Sequence, residues 1–275
     1  MNSNTLYADV SVIITTHNRP MGILRRSAES VISQTVTPKE VIITDSGTSL
    51  SISKEVRNMA SLYSWKYVKV ENGASGCITR NRGAEHATGR YLAFLDDDDE
   101  WYHEKISRMS VVFDKNPGVI CSDYDQEVGG DVFLFTVPNS IEDRILGNNV
   151  IGCTSMPIIS REAFEKVGGF DESFESNQEW DLWIRICDIC NVIRVDGPVG
   201  IKHQSSLSVS SDSSKRVHGW NCMFRKHSEA YRRNPYQLKI ASGCCIAEMR
   251  GNCSPFILKV LCLRAWSGLM VHLRR

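Results

Sequence analysis

The residues best suited to chemistry in this sequence are four consecutive aspartates, Asp96 to Asp99, which follow the apolar stretch YLAFL and precede Glu100. Adjacent carboxylates repel one another, so any that are partly buried must be paired, protonated or bound to a cation. One interpretation is a solvated acidic loop, and the other is a site for a divalent metal ion. Oxygen ligands suit Mg²⁺ or Mn²⁺ and argue against zinc.

Two further polar clusters follow predicted strands nearer the start of the chain. The stretch VSVIIT at 10–15 leads into THNRP, and EVIIT at 40–44 leads into Asp45. Strands alternate with helices as far as residue 95, which predicts an α/β fold with a mostly parallel sheet covered on both faces. Such sheets bind ligands at the carboxyl ends of their strands, so we expect the three clusters at one edge. The other predicted elements here are helices at 23–32, 53–63 and 77–87, the last closed by Gly89, and strands at 65–70 and 91–95.

The second half of the chain is less regular. Hydrophobic spacing predicts an amphipathic helix over 177–189, and a serine-rich stretch after Ser205 is typical of a loop. We place a boundary near residue 211, which divides the chain into an α/β domain at 1–210 and a helical C-terminal region at 211–275. The other elements predicted are strands at 118–123, 131–135 and 156–160 and a helix at 161–167, which Gly168 and Gly169 close.

Composition excludes some classes of protein. Lys plus Arg and Asp plus Glu each number 32, so overall charge gives no reason to expect a nucleic-acid partner. Ten cysteines are scattered without framework spacing, and no secretory leader is visible at the start. The thiols are therefore expected to be reduced and the compartment cytoplasmic. No apolar run is long enough for a transmembrane helix.

The stretch at 257–275 mixes apolar residues with Lys and Arg. This pattern is compatible with an interfacial helix on an anionic membrane surface. It is equally compatible with a helix that packs on the α/β domain. The first alternative predicts a peripheral contact with the inner face of the plasma membrane.

Four motifs, in this order, resemble those of glycosyltransferase family 2: VSVIITTHNRP, VIITDSG, ASGCITRNRGAEHATGRYLAFLDDDDEW and GGFDESFESNQEWDLWIRI. The resemblance covers roughly residues 9–205 and says little about the chain beyond residue 211. It implies a GT-A fold, which is a Rossmann-like, mostly parallel sheet flanked by helices. It also implies an inverting enzyme that uses a sugar nucleotide.

The resemblance assigns the nucleotide to the first two clusters. Thr15, His17 and Arg19 match the turn after the first strand, and Asp45 matches the residue that holds the base. A buried carboxylate that accepts a hydrogen bond from an imide N–H favours uracil over other bases. The alternative for Asp45 is that it caps a turn beside Gly47.

A third motif, ASGCITRNRG, matches a segment that approaches the nucleotide in the family. Gly76 would allow close backbone approach. Arg80 would pair with the diphosphate or support the aspartate cluster, and Asn81 would hydrogen-bond nearby. Structural roles for Arg80 and Asn81 are an equally good interpretation.

The family's metal motif, Asp-x-Asp, matches Asp96 and Asp98. The resemblance implies that Asp98 is a direct ligand of Mn²⁺ or Mg²⁺ and that Asp96 binds through water or contacts the ribose. Asp97 is expected beside the nucleotide sugar. His203 matches a polar position that can reach the metal or diphosphate, although a lone histidine after a strand is more often a surface residue.

An inverting transferase needs a base for the acceptor hydroxyl, and the family places this carboxylate at the start of a helix. Glu179 holds the aligned position in the stretch QEWDLWIR, with Asp181 as the alternative. The chain departs from the family because Gln178 stands first and a glutamate replaces the usual aspartate. Helical spacing favours a place in the core for at least one of Trp180 and Trp183. The alternative is that these rings stack on the faces of sugars.

These expectations combine into one hypothesis. It predicts a metal-dependent enzyme that moves a hexose from a UDP-sugar to a saccharide acceptor linked to a lipid diphosphate, in bacterial surface-polysaccharide assembly. A sugar nucleotidyltransferase is the first alternative, but it needs a glycine-rich basic loop after the first strand, and TTHNRPMG is a poor match. A non-catalytic protein that binds nucleotide sugars is the second.

Overall fold

The computed structural model describes residues 7–204 and 213–249. The strands are β1 (Tyr7–Thr16), β2 (Thr37–Asp45), β3 (Lys66–Lys69), β4 (Tyr91–Asp96), β5 (Glu100–Trp101), β6 (Val119–Ser122), β7 (Tyr124–Val128), β8 (Asp131–Phe135), β9 (Ile158–Ser160), β10 (Val192–Val195) and β11 (Gly200–Lys202). The helices are α1 (Met21–Ile32), α2 (Leu50–Leu62), α3 (Gly76–Glu85), α4 (Lys105–Ser110), α5 (Arg161–Lys166), α6 (Gln178–Cys187), α7 (Ser213–Lys226), α8 (Ser228–Arg233) and α9 (Pro235–Met249). One turn of 3₁₀ helix spans Phe113–Lys115.

The main sheet has seven strands in the order β10-β6-β9-β4-β1-β2-β3. Only β9 runs antiparallel to its neighbours, β4 and β6, among the pairings of this sheet. Residues 10–16 of β1 are all buried, as expected for a parallel strand with helices on both faces. The mostly parallel α/β sheet predicted from the sequence is therefore confirmed.

A second, smaller sheet has the strand order β5-β11-β7-β8, and its edge strand β5 is next to the four aspartates in the sequence. β5 follows them directly and pairs antiparallel with β11. The sequence did not predict β5, β7 or β11, because they are two to five residues long and carry polar residues among the apolar ones. This small sheet brings residues near 200 back to the acidic loop.

Two predicted glycine caps have different outcomes. Gly168 and Gly169 have φ values of 79° and 70° directly after α5, so they end that helix as expected. Gly89 was predicted to close the third helix, but that helix ends at Glu85 with His86 as its cap. Gly89 is needed for close packing instead, because a Cβ there would lie 2.6 Å from the backbone nitrogen of Ser11.

The C-terminal helices α7 to α9 share a core with the α/β domain. Trp220, Tyr231 and Leu238 are buried in the same apolar cluster as Trp180, and the rings of Trp180 and Trp220 meet edge to face. Within the described ranges, no helix combines the length and the apolar character needed to cross a bilayer. The stretch at 257–275, for which membrane contact and packing were the alternatives, lies outside the described residues.

Candidate active site

The acidic loop, Asp96 to Asp99, begins at the carboxyl end of β4. Its first residue, Asp96, contacts Thr15 and Arg80, two site residues predicted from the sequence. Thr15 Oγ1 donates to Asp96 Oδ1 over 3.3 Å, and Arg80 Nη2 is 2.5 Å from the same oxygen. Thr15 aligns with Asp96 in the β1–β4 register. The parallel strands therefore bring the first turn and the acidic loop together, as expected.

Arg19 neutralises the next two carboxylates. Its Nε is 2.7 Å from Asp97 Oδ1, and its Nη2 is 2.9 Å from Asp98 Oδ2. Burial raises the pKa of Asp97 to about 6, although Arg19 acts in the opposite direction. α1 fixes the backbone of the loop, because Arg26 Nη2 donates to the carbonyl of Asp98 over 2.8 Å. The loop is thus folded, with three of its carboxylates paired to arginines, and is not freely solvated.

Asp99 is buried and points away from the solvent. Its Oδ2 accepts from Ser155 Oγ at 2.5 Å, and its Oδ1 accepts from the backbone nitrogen of His203 at 3.1 Å. Burial and the neighbouring Asp96 raise the pKa of Asp99. This aspartate therefore joins the acidic loop to the end of β11.

The donor set at Asp96 and Asp98 fits a hard divalent cation. The ion pairs described above use Oδ1 of Asp96 and Oδ2 of Asp98, which leaves the second oxygen of each for a ligand. His203 stands apart from this pair, because its ring lies between Glu127, 2.9 Å from Nδ1, and Glu100, 3.4 Å from Nε2. Across 7–204 and 213–249, no three His, Cys, Asp or Glu side chains are grouped so that they could hold a metal. The predicted trio is therefore not preassembled as a three-ligand site.

The turn after β1 and the end of β2 are tied together. Asn18 Oδ1 accepts from the backbone nitrogens of Thr48 and Ser49, both at 2.9 Å. His17 Nδ1 lies 3.1 Å from the carbonyl oxygen of Ser46, with the ring exposed. Asn18 has a φ of 51°, which its short amide side chain tolerates. The predicted cluster residues thus line one edge of the sheet.

Asp45 is buried, and both of its oxygens are engaged by this chain. Oδ1 accepts from the backbone nitrogen of Gly47 at 2.7 Å, as the capping alternative predicted. Oδ2 accepts from Tyr67 Oη at 2.8 Å and lies 3.5 Å from Lys69 Nζ. A turn-capping role is therefore present, and a role in base recognition stays a prediction.

Arg80 connects the acidic loop to the start of α6. Its Nη1 donates to Gln178 Oε1 over 3.2 Å, and Cys77 Sγ donates to the same oxygen over 2.8 Å. Gly76 makes room for this guanidinium, since a Cβ there would lie 2.8 Å from Arg80 Nη1. The group that lies close to Gly76 is therefore the side chain of Arg80. Of the two roles considered for Arg80, the structure shows support of the aspartate cluster.

Asn81 faces away from the acidic loop. Its Nδ2 donates to the carbonyl of Phe170 at 2.9 Å, and its Oδ1 accepts from the backbone nitrogen of Phe170 at 2.9 Å. The amide also contacts Glu172 at 3.0 Å. These contacts match the structural interpretation of Asn81 given above, because they pin the segment that leads to α6.

Glu179 lies in the first turn of α6, beside the acidic loop. Asn149 Nδ2 donates to Glu179 Oε1 over 3.3 Å, and Asn149 is itself held by Gly152. Burial raises the pKa of Glu179 above its ordinary value, although Lys202 and Arg80 act in the opposite direction. A carboxylate with a raised pKa in such a place is suited to accept a proton near neutral pH.

Asp181 points to the other side of α6 and forms a buried network with the C-terminal helices. Oδ2 lies 2.7 Å from Arg185 Nη2, and Oδ1 lies 2.9 Å from Lys226 Nζ and 3.0 Å from His227 Nε2. Burial raises the pKa of Asp181, but these partners outweigh that effect and lower it. The contacts describe an anchor between α6 and the C-terminal helices, whereas Glu179 interacts electrostatically with Asp96 of the acidic loop.

Both tryptophans of α6 belong to the core. Trp180 and Trp183 are buried, and their Nε1 atoms donate to the carbonyls of Ile145 and Gly152. They offer no ring face to a sugar, so the stacking alternative is wrong for both. Their role is to fix the face of α6 that carries Glu179.

We expect Asp181→Ala to lower the free energy of unfolding by about 3 to 5 kcal/mol, because it leaves Arg185, Lys226 and His227 facing a buried gap without their carboxylate partner. The contribution of Asp181 is fully present at neutral pH and is lost as the pH falls through its depressed folded-state pKa. Urea denaturation at neutral pH measures the loss. Glu165→Gln is the matched control, because Glu165 pairs with Arg161 at an exposed i,i+4 position and should cost less than about 1 kcal/mol. Equal effects of the two variants would contradict the anchoring role.

The fold is an α/β fold with polar and charged side chains gathered at one edge of its main sheet, and the comparisons give its family. The model of glycosyl transferase family 2 matches residues 11–168. The chain belongs to this family, which favours a glycosyltransferase over the sugar nucleotidyltransferase and the non-catalytic binding protein considered from the sequence.

Relatives and solved structures agree with this assignment. An Escherichia coli enzyme, UDP-Glc:alpha-D-GlcNAc-diphosphoundecaprenol beta-1,3-glucosyltransferase WfgD, is 27% identical over 76% of this chain and 82% of its own length. Other relatives are longer: this chain covers 35% of an uncharacterized glycosyltransferase from Rickettsia bellii and 61% of one from Haemophilus influenzae, at 26% and 30% identity.

Solved structures confirm the GT-A fold. Residues 1–349 of Staphylococcus aureus TarS with UDP-GlcNAc superpose with a TM-score of 0.70 at 15% identity, over 93% of this chain and 79% of that one. Pyrobaculum calidifontis mannosyltransferase PcManGT, with GDP-Man and Mn²⁺, gives a TM-score of 0.58 at 18% identity, over 96% and 81%.

Some residues of this site gave no signal in the sequence. Tyr67 and Lys69 on β3 hold Asp45, and Asn149, in the irregular stretch between β8 and β9, holds Glu179. Lys202 lies next to the predicted His203 and acts electrostatically on Glu179. The sequence offered one weak indication of Tyr67 and Lys69. Side chains alternate between the two faces of a strand, so these two residues share one face of the predicted third strand.

Proposed function

We propose that this glycosyltransferase moves a hexose from a UDP-sugar to a saccharide acceptor with inversion at the anomeric carbon, and that it needs a divalent cation. The observation that carries the proposal is the bridge from Asp96 through Arg80 to Gln178, the residue next to Glu179, which supports a single site for the acidic loop and this carboxylate. The proposed one-step displacement uses two elements: a loop of carboxylates that can hold the cation beside the diphosphate, and a separate base that takes the proton of the acceptor hydroxyl.

The acceptor hydroxyl oxygen attacks the anomeric carbon of the donor and forms the new glycosidic bond. Glu179 takes the hydroxyl proton on a carboxylate oxygen. The bond from the anomeric carbon to the diphosphate oxygen breaks, and its electron pair leaves with the nucleoside diphosphate. Asn149 keeps the Glu179 carboxylate oriented through its hydrogen bond of 3.3 Å.

Asp98 would hold the cation directly, with Asp96 through water, and Asp97 and Arg19 would shape the pocket beside it. When bound, Mn²⁺ or Mg²⁺ supplies positive charge for the diphosphate. The chain's own arginines keep the carboxylates paired in its absence. His203, held by Glu100 and Glu127, is proposed to approach the metal or diphosphate from the second sheet.

The names of relatives support the choice of donor and acceptor. WfgD is named for UDP-glucose and a GlcNAc-diphosphoundecaprenol acceptor, and an Erwinia amylovora relative is an amylovoran biosynthesis glycosyltransferase. We therefore propose a lipid-diphosphate-linked acceptor in bacterial surface-polysaccharide assembly, with the enzyme in the cytoplasm and in peripheral contact with the inner membrane face. A screen of UDP-sugars with a lipid-diphosphate monosaccharide, followed by linkage analysis of the product, tests this. Failure of all UDP-sugars alongside transfer from a GDP-sugar would overturn the donor assignment.

Uridine preference is expected to depend on Asp45. UDP should bind far more tightly than GDP or ADP, and Asp45→Asn should narrow the difference, because the amide cannot act as the same pure acceptor for an imide N–H. Calorimetry with the three diphosphates measures this. Tyr67→Phe is the control, since it removes a partner of Asp45 and keeps the carboxylate. Equal affinity of the wild-type protein for the three diphosphates would contradict the prediction.

A further inference from the structure

Lys202 is the last residue of β11, and its strand carries it into the candidate active site. Ile201 lies opposite Glu100 in the antiparallel pairing with β5, and Lys202 aligns with Gln126 of β7. The next residue, His203, donates its backbone N–H to Asp99 over 3.1 Å. The second sheet therefore brings the backbone of Lys202 next to the acidic loop.

The ammonium of Lys202 lies in the field of carboxylates from both parts of the site. Burial lowers the pKa of Lys202, but Cys153, Asp99, Glu179 and Asp96 raise it, and the net change is upward. A lysine side chain carries a positive charge at neutral pH in its ordinary state. The electrostatic partners of Lys202 include Asp96 and Asp99 of the acidic loop and Glu179 of α6.

Three carboxylates of the acidic loop, Asp96, Asp97 and Asp98, already have arginines as ion-pair partners. Arg19 pairs with Asp97 and Asp98, and Arg80 pairs with Asp96. Within residues 7–204 and 213–249, the Lys202 ammonium has no ion pair and donates no hydrogen bond. A charged amine in a partly buried place then has its donors available for an anion.

We infer that Lys202 binds the diphosphate of the donor and stabilises the charge that develops on the leaving nucleoside diphosphate. The inference rests on the proposed function, because it takes the ligand to be a nucleoside diphosphate sugar. Lysine suits this role as a compact point charge that contacts phosphate oxygens. A fixed cation where negative charge grows favours the transition state over the bound substrate.

Calorimetry of the full chain with UDP and with uridine tests the inference. Lys202→Met should weaken UDP binding by about tenfold or more, the usual scale for a lost charge-assisted hydrogen bond, and leave uridine binding unchanged. Lys202→Arg should restore most of the UDP affinity. Lys54→Met is the matched control, because Lys54 is exposed on α2 and should change neither affinity.

The outcomes separate this inference from the proposed function. A wild-type protein that does not bind UDP would overturn the proposed donor class. A wild-type protein that binds UDP, together with Lys202→Met that binds it equally well, would overturn the role of Lys202 alone. Equal losses of UDP and uridine affinity with a lowered melting temperature would show that Lys202 only balances charge within the folded chain, and would also overturn it.

Discussion

Replacing Glu179 by Gln should lower sugar transfer by about a hundredfold or more, the usual scale for a positioned base, and leave UDP-sugar affinity close to wild type. The amide keeps the shape of the side chain and its contact with Asn149, which is 3.3 Å long in the wild-type protein. It removes only the capacity to take the acceptor proton. Transfer kinetics and donor calorimetry on the same preparation measure the two quantities separately.

The pH profile gives this prediction a second measurement. A base acts in its deprotonated form, so activity falls as the pH drops through the pKa of Glu179. Burial raises that pKa above the ordinary value of 4.5, which moves the acid limb of the profile toward neutral pH. In the Gln variant this limb should disappear from the residual activity.

Asp181→Asn is the control for the base assignment. Asp181 is anchored by Arg185, Lys226 and His227, so the main effect of its amide variant should be a loss of stability. The protein that remains folded should keep most of its transfer activity. If Asp181→Asn abolished transfer in a folded protein and Glu179→Gln did not, the base would be two residues further along. Unchanged transfer in Glu179→Gln alone would also contradict the mechanism.

The sequence predicted the first four strands because each is a run of apolar, often β-branched residues, and burial on both faces leaves that pattern intact. The same physics placed the polar clusters correctly, since parallel strands end at one edge. β10 was missed because it is four residues long and includes Arg194, whose charge is paired with Asp123. A short strand with a charged residue has no periodic signal to find.

Partners within the site were harder to predict than its location. The pair of Arg19 and Asp98 joins residues 79 positions apart, and that of Arg80 and Gln178 joins residues 98 apart. The pairing of these side chains depends on how the loops pack, and the local spacing of residues in the sequence does not indicate that packing. Lys202 was overlooked for this reason: only the pairing of β11 with β5 shows that it reaches the acidic loop.

Asp98→Asn should lower transfer by about two orders of magnitude or more, because it removes the proposed direct ligand of the cation that offsets charge on the diphosphate. The wild-type enzyme should lose comparable activity in excess chelator and recover it with Mn²⁺ or Mg²⁺. Titration of Mn²⁺ followed by electron paramagnetic resonance supplies a measurement other than turnover. Here the variant should bind the ion more weakly in the presence of UDP.

The structure also predicts how this variant will fold. Asp98 is paired with Arg19, which keeps Asp97 as a second partner at 2.7 Å, so the loop retains a cation contact when Asp98 is neutral. The melting temperature should therefore change little. Glu104→Gln is the matched control, an exposed carboxylate just beyond the loop that should alter neither Mn²⁺ binding nor transfer. Full wild-type activity in excess chelator would refute metal dependence, whereas loss of Mn²⁺ binding in Glu104→Gln would move the ion away from Asp98.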